Sequence, residues 1–83
     1  MEQSELNLLR QIGFKKVIEG DLTWHEKPFT HPFFTKGEIV IENNFIFINC
    51  EEPEGDGEVF TLLKCKFERA TLNKIFKWLK IPY

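Results

Sequence analysis

Residues 37–50 read GEIVIENNFIFINC and hold the clearest structural signal in the chain, two apolar-rich segments on either side of an Asn-Asn pair. Asparagine tolerates the positive φ angles that the two central residues of a tight hairpin turn adopt. The pattern therefore predicts two antiparallel strands joined at Asn43 and Asn44. Counting outward from this turn pairs Glu42 with Phe45, Ile41 with Ile46, Val40 with Phe47, and Ile39 with Ile48.

The predicted hairpin has two chemically different faces, because successive side chains of a strand point to opposite sides. One face consists of isoleucine alone, at positions 39, 41, 46 and 48. The other face carries Glu38, Val40, Glu42, Phe45, Phe47 and Asn49. We expect the isoleucine face to form the core against helices and the two phenylalanines to remain partly uncovered.

A helix is predicted before the strands and another after them. The first spans residues 4–12, with Ser4 as its N-cap and Gly13 as a left-handed C-cap. The second has Thr71 as its N-cap and stops at Pro82. Its apolar stripe follows the spacing i, i+3, i+4, i+7 and consists of Leu72, Ile75, Phe76 and Leu79.

Three further strands are expected, at residues 14–19, 21–26 and 59–67, the first two joined by a turn at Gly20 and Asp21. If the acidic segment before residue 59 is a hairpin loop, Cys50 faces about position 60. The two cysteines of the chain are then not cross-strand neighbours.

Residues 27–36 are predicted to form a phenylalanine-rich loop. Pro28 and Pro32 lack the backbone N–H that a central strand needs, and each restricts the residue before it. This segment is therefore not expected to belong to the sheet.

A chain of 83 residues is long enough for one domain, residues 1–83. The order of elements predicts an α+β fold, with an N-terminal helix, an antiparallel meander of about four to five strands and a C-terminal helix packed on one sheet face. The net charge of −2 and the 42% hydrophobic content are those of an ordinary globular protein. With two cysteines, an acidic start and no long apolar run, we expect a cytoplasmic protein without a signal peptide or membrane span.

No group of residues in the sequence indicates catalysis or metal binding. The two histidines, His25 and His31, do not have the spacing of known metal motifs. The acidic segment 51–58 lacks the alternating oxygen ligands of a calcium loop, and no Cys–His pair indicates a nucleophile. We therefore predict a non-enzymatic protein with no cofactor and no metal.

The predicted partner-binding residues lie on the hairpin, in the phenylalanine-rich loop and in the acidic segment. They are Glu38, Glu42, Phe45 and Phe47, then Phe33 and Phe34, then Glu51, Glu52, Glu54, Asp56 and Glu58. Three explanations of the hairpin rings stay open: the loop folds over them, they bind another protein, or they stack on nucleic-acid bases. Carboxylates beside exposed rings favour a protein partner with a basic surface.

Single-stranded nucleic-acid binding is the alternative interpretation. Residues 64–80 contain six basic residues and one acidic residue, and Lys74, Lys77 and Lys80 form a basic edge on the second helix. Such lysines also suit the solvated face of an amphipathic helix. Glutamates on the aromatic face disfavour nucleic acid there, and a homodimer joined through this face is a third interpretation.

The overall layout resembles a class of short accessory proteins. It comprises LLRQIGFKK at residues 8–16, Trp24, the Glu-Ile-Val-Ile-Glu hairpin and the closing segment TLNKIFKWLKI at residues 71–81. In its helix–meander–helix layout and its abundance of Lys, Glu, Phe and Ile, the chain is similar to proteins encoded by bacterial phages and mobile elements, which include anti-CRISPR inhibitors. The resemblance implies a small non-enzymatic protein that acts by occupying a larger partner's surface. Our leading hypothesis is a small non-enzymatic protein-binding module, and a phage-type inhibitor that occludes a host defence nuclease or another nucleic-acid-binding protein is the form of it that the resemblance implies.

Overall fold

A computed structural model describes residues 2–31, 34–51 and 58–81, with the backbone alone at residues 31, 34 and 35. The elements in chain order are α1 (Gln3–Gln11), β1 (Lys15–Glu19), β2 (Leu22–His31), β3 (Phe34–Glu42), β4 (Phe45–Glu51), β5 (Val59–Lys66) and α2 (Arg69–Trp78). The five strands form one antiparallel sheet in the order β1-β2-β3-β4-β5. The α+β fold, with its meander between two helices, is confirmed.

The central hairpin has the predicted turn and register. Asn43 and Asn44 adopt φ angles of 51° and 64°, which are those of a type I′ turn. Ile41 pairs with Ile46 and Ile39 pairs with Ile48. All four isoleucines are at most 2% exposed, so the isoleucine face forms the sheet side of the hydrophobic core.

Both helices pack on the isoleucine face. The apolar stripe predicted for α2 is buried as expected, and Leu9 of α1 is fully buried beside it. The rings of Phe14 and Phe76 are 6.1 Å apart between centroids, which joins the segment after α1 to the last turn of α2. The core thus lies in a single layer between the sheet and the two helices.

Helix α1 begins earlier than its sequence indicates. Its N-cap is Glu2, whose backbone N–H donates to the Oε1 atom of Glu5 at 3.1 Å, and Ser4 lies inside the first turn. The prediction of Ser4 as N-cap is wrong because Glu5 stands three residues after Glu2, the spacing of a capping box. The predicted C-cap is confirmed: Gly13 has φ 101°, and the Phe14 N–H donates to the Leu9 carbonyl at 2.8 Å.

Helix α2 also begins earlier, with Glu68 and not Thr71 at the N-cap. The reason is the anchoring of Phe67, which is 9% exposed and donates its backbone N–H to the Asn44 carbonyl at 2.7 Å. The chain turns directly from this buried residue into the helix, and Leu72 N–H donates to the Glu68 carbonyl at 2.9 Å. The predicted stop at Pro82 lies outside the described residues.

The prediction of a loop at residues 27–36 is wrong, because β2 continues through Pro28 to residue 31 and pairs with β3. β1 begins at Lys15, opposite Glu26, so beyond that point β2 has a neighbour on one side only among the described strands. A proline is tolerated on such an edge. Phe29 pairs with Gly37 and is 7% exposed in the core.

β5 pairs with β4 along its whole length and forms an outer edge of the sheet. Cys50 pairs with Phe60 while Cys65 pairs with Ile46, so both cysteines are free, as predicted. The register shifts between Ile48 and Asn49, which leaves Leu62 without a Cα partner on β4.

Candidate binding face of the sheet

One face of the sheet lies opposite the helices, and we call it the open face. The residues of the open face follow from the alternation of side chains along each strand and from the registers between neighbouring strands. Its central residues are Val17, Trp24, Glu26, Glu38, Val40, Glu42, Phe45, Phe47, Asn49, Thr61, Lys64 and Lys66. Helical residues that are buried belong to the core on the other side of the sheet. Within the part of the chain that the structure describes, no helix covers the open face.

The two phenylalanines of the hairpin lie on the open face, as their register predicts. Phe45 is 42% exposed and Phe47 is half-buried. The Nζ atom of Lys64 lies 5.4 Å from the centroid of the Phe45 ring and 5.5 Å from that of Phe47. This cation–π geometry places an amphipathic side chain across both rings and gives the aromatic patch a cationic border.

Phe29 begins the phenylalanine-rich segment whose folding over these rings was one of the three open explanations. It pairs with Gly37, whose side of the strand is that of the core isoleucines, so its ring points away from the open face. Phe29 therefore does not cover the rings of Phe45 and Phe47. Phe33 lies outside the described residues, and Phe34 is described by its backbone alone.

Trp24 belongs to the open face, although it is missing from the residues predicted for the site. It pairs with Val17 on β1, and both side chains are half-buried. The alternation of Leu22 and Trp24 is visible in the sequence. Assigning the tryptophan to a face also requires the register between β2 and β3, where His25 pairs with Ile41 on the core side. That register depends on the strand through Pro28.

Two carboxyl groups meet in the middle of the open face. Glu26 pairs with Val40 and Glu38 pairs with Pro28, so the two glutamates are diagonal neighbours on adjacent strands. A hydrogen bond to the Glu26 side chain, with burial and the negative charge of Glu26, raises the pKa of Glu38 to about 7. Below this pKa the Glu38 carboxyl is protonated and can donate a hydrogen bond to the side chain of Glu26.

Three of the remaining predicted acidic residues, Glu42, Glu51 and Glu58, lie within the described part of the chain. Glu42 is half-buried on the open face, next to the hairpin turn. Glu51 ends β4, and Glu58 is exposed immediately before β5. Glu52, Glu54 and Asp56 lie outside the described residues.

A cleft of about 630 Å³ lies at the end of the sheet where β3 begins and β4 ends. Its wall includes Glu38 and Val59, which belong to the open face by register, and Phe29, Gly37 and Cys50, which belong to the isoleucine side. The cleft is therefore not confined to the open face.

The lysines predicted for nucleic-acid binding lie away from the rings. Lys74, Lys77 and Lys80 are exposed residues of the α2 segment, which packs on the isoleucine side of the sheet. The open face has its own basic residues instead, since Phe47 pairs with Lys64 and Phe45 pairs with Lys66. Stacking rings and cations are thus combined on β4 and β5.

His25 faces the core side of the sheet, in a small cavity between α1 and the first two strands that is also lined by Leu6 and Phe14. Burial, with the positive charge of Lys16, lowers the pKa of His25. Within the described ranges, no three His, Cys, Asp or Glu side chains are grouped closely enough to bind a metal ion. No described helix combines the length and apolar character needed to cross a membrane.

Comparisons with protein-family models, with curated proteins and with solved structures found no match to this chain.

Proposed function

We propose that this protein is a non-enzymatic binding module whose open face binds the basic surface of a protein partner. The observation that carries the proposal is the arrangement of the open face, where Trp24, Phe45 and Phe47 share one surface with the neighbouring carboxyl groups of Glu26 and Glu38, while the described helices pack on the other side of the sheet. Exposed aromatic side chains grouped on one face are typical of interaction sites.

The rings and the carboxylates have different roles in this proposal. Phe45 and Trp24 offer large apolar areas at a low entropy cost, and a few such residues supply most of the affinity of an interface. The carboxylates of Glu26, Glu38 and Glu42 determine specificity for a basic partner, because they would repel the negative charges of an acidic surface. A lysine or arginine placed between them would favour the fully ionised pair.

A nucleic-acid-binding protein is the kind of partner that such a face fits. Its groove carries lysine and arginine for phosphate contacts, and these residues would meet the carboxylates of the open face. Binding there would exclude the nucleic acid sterically. The layout resemblance to phage-encoded inhibitors supports the same mode of action, with a host defence nuclease as one such partner.

The experiment is an affinity pull-down from native host lysate, with and without nuclease treatment, using the unmodified protein and two variants. Phe47→Ala should lose the retained partner, while Lys77→Ala, a change on the exposed side of α2, should keep it. The partner is then purified, and its affinity should fall as salt rises because the contact is partly ionic. Retention that persists in Phe47→Ala, or that disappears on nuclease treatment, contradicts the proposal.

A second function, binding of single-stranded nucleic acid, is favoured by one observation: Lys64 lies over both Phe45 and Phe47. Aromatic rings with adjacent cations are the usual platform for stacked bases. The test is fluorescence anisotropy with a labelled mixed-sequence single-stranded oligonucleotide at low salt. Binding that weakens steeply with salt and with Lys64→Ala supports this function, and the absence of any anisotropy change excludes it.

A further inference from the structure

The cavity that contains His25 has a volume of about 290 Å³ and lies on the isoleucine side of the sheet, opposite the open face. Its lining residues come from α1, from the segment after it and from the first two strands. They are Gln3, Leu6, Arg10, Phe14, Lys16 and His25. This volume is at the lower end of the range of small-molecule sites and far exceeds the space of one water molecule.

The charged side chains of this cavity are basic. Arg10 and Lys16 carry two positive charges, and among the described residues that line the cavity none is Asp or Glu. Both basic residues are exposed, so a ligand can reach them from solvent. Like charges that border one cavity repel each other, and an anion between them removes that repulsion. The lining therefore favours a ligand with two negative charges.

The fold brings the basic groups to the cavity from two sides. Lys16 and His25 pair directly across β1 and β2, so their side chains are neighbours on the same side of the sheet. Gln3, Leu6 and Arg10 follow one side of α1, with spacings of three and four residues. The helix thus supplies the arginine, and the strands supply the lysine and the histidine.

His25 reports the electrostatic character of the cavity. Burial, with the positive charge of Lys16, lowers its pKa. Glu42 borders a neighbouring cavity that His25 also lines, and the pKa is lowered despite this carboxylate. The imidazole therefore lies in a positive environment, where a bound anion would stabilise its protonated form.

We propose that this cavity is a binding site for a phosphate group, either the free ion or the phosphate end of a small molecule. A phosphate group carries about −1.5 to −2 charges near neutral pH, which Arg10 and Lys16 would balance. The guanidinium provides paired N–H donors and the ammonium a compact charge. The Gln3 Nε2 atom donates to the Asn7 Oδ1 atom at 3.0 Å and has a second hydrogen for the ligand.

The rest of the lining is apolar. Leu6 is half-buried and Phe14 is 5% exposed. An apolar surface beside the basic groups suits the organic part of a phosphate monoester. A carboxylate would carry one negative charge and would leave the second cation uncompensated. The cavity therefore fits a phosphate better than a carboxylate.

Binding is measured by calorimetric titration of the unmodified protein with inorganic phosphate, phenyl phosphate and benzoate, at one ionic strength set with sodium chloride. Phenyl phosphate should bind more tightly than benzoate, which has the same ring and a single charge. Inorganic phosphate that binds as tightly as phenyl phosphate identifies the free ion as the ligand, whereas tighter binding of phenyl phosphate identifies a monoester. Equal affinity for benzoate and phenyl phosphate, or no binding of either phosphate, overturns the proposal.

Two matched pairs of variants at exposed positions locate the site. Arg10→Gln is compared with Arg69→Gln, which removes the same charge at the start of α2. Lys16→Gln is compared with Lys15→Gln, the preceding residue of β1, on the open face. Each cavity variant should weaken phosphate binding about tenfold, the loss expected for one charge-assisted hydrogen bond, while both controls should bind normally. Equal weakening in cavity variants and controls overturns the proposal.

The imidazole of His25 provides a second readout, by proton NMR titration with and without saturating phosphate. The pKa of His25 should rise when phosphate is present, because the anion offsets the positive charge of Lys16. His31 is six residues further along β2, about 20 Å away along the strand, and its signal should not respond. His25→Gln assigns the two signals. A pKa of His25 that phosphate leaves unchanged overturns the proposal.

Discussion

The ring of Phe29 lies directly over Gly37 on the neighbouring strand, and a methyl group on Gly37 would overlap the atoms of that ring. The pair stands at the point where β2 has passed Pro28 and has only β3 beside it. The glycine leaves the space, and the phenylalanine fills it from the core side with 7% of its surface exposed. This contact attaches the end of β2 to the sheet where the ladder on the other side has stopped.

We expect Gly37→Ala to lower the free energy of unfolding by roughly 1–3 kcal/mol, the usual cost of overpacking a filled site. The measurement is urea denaturation followed by circular dichroism. In a Phe29→Leu background the same substitution should cost clearly less, because the ring it collides with has been removed. Additive losses in the double variant would mean that the two residues do not share this space.

The parts of the fold that are local in sequence could be predicted from it. The hairpin at residues 37–50 needed only a turn pair and an alternating pattern, and its register is confirmed to the residue. The strand through Pro28 could not be predicted in this way. Whether a proline is tolerated there depends on where β1 ends, which is a property of the assembled sheet.

The same limit applies to the open face. Phe45 and Phe47 were assigned to it correctly because their register follows from the adjacent turn. Trp24 and Glu26 were missed because their face is set by pairing between β2 and β3, across a segment interpreted as a loop. The carboxyl pair arises only when Glu26 and Glu38, distant in sequence, become diagonal neighbours.

Ile46 and Phe47 are consecutive residues that point to opposite sides of the sheet. Replacing each with alanine should therefore have different effects on the free energy of unfolding. Ile46 is fully buried, so Ile46→Ala should cost roughly 2–5 kcal/mol of unfolding free energy. Phe47→Ala should cost less than about 1.5 kcal/mol, because the ring is half-buried on the open face. Chemical denaturation measures both. Equally large losses would make Phe47 a core residue and remove the aromatic patch.

The glutamate pair predicts a loss of stability as pH rises from 4.5 through about 7. The pKa of Glu38 is raised from 4.5 to about 7, so its protonated form stabilises the folded state fully below pH 4.5 and less as pH rises through about 7. Glu38→Gln keeps a donor for Glu26 but cannot ionise, so its stability should not decline over this range. The urea midpoint measured from about pH 5 to about pH 9 tests this.

Two controls belong to that titration. Glu42→Gln, on the open face but outside the pair, should keep the decline of the unmodified protein. His25 acts in the opposite direction: its pKa is lowered below 6.5, so its contribution is lost as pH falls, and this acid-side loss should remain in Glu38→Gln. A Glu38→Gln variant that still weakens towards alkaline pH would show that the pair does not share a proton.

The two helices end with the same motif but with different residues at its critical position. After α1, Gly13 has φ 101°; after α2, Lys80 has φ 58°, and Ile81 N–H donates to the Phe76 carbonyl at 2.9 Å. A side chain at such an angle is strained, whereas glycine is not. Lys80→Gly should therefore stabilise the protein relative to Lys80→Ala by about 1 kcal/mol.

Alanine is the matched control for that comparison, because both substitutions remove the lysine charge from the end of α2 and only glycine relieves the backbone. Gly13→Ala supplies the converse: it should destabilise the protein by about 1 kcal/mol through the same conformational cost, and its methyl group also displaces the flexible end of the Lys27 side chain. Thermal and urea unfolding measure all three variants. Equal stability of Lys80→Gly and Lys80→Ala would mean that residue 80 does not hold the left-handed conformation in solution.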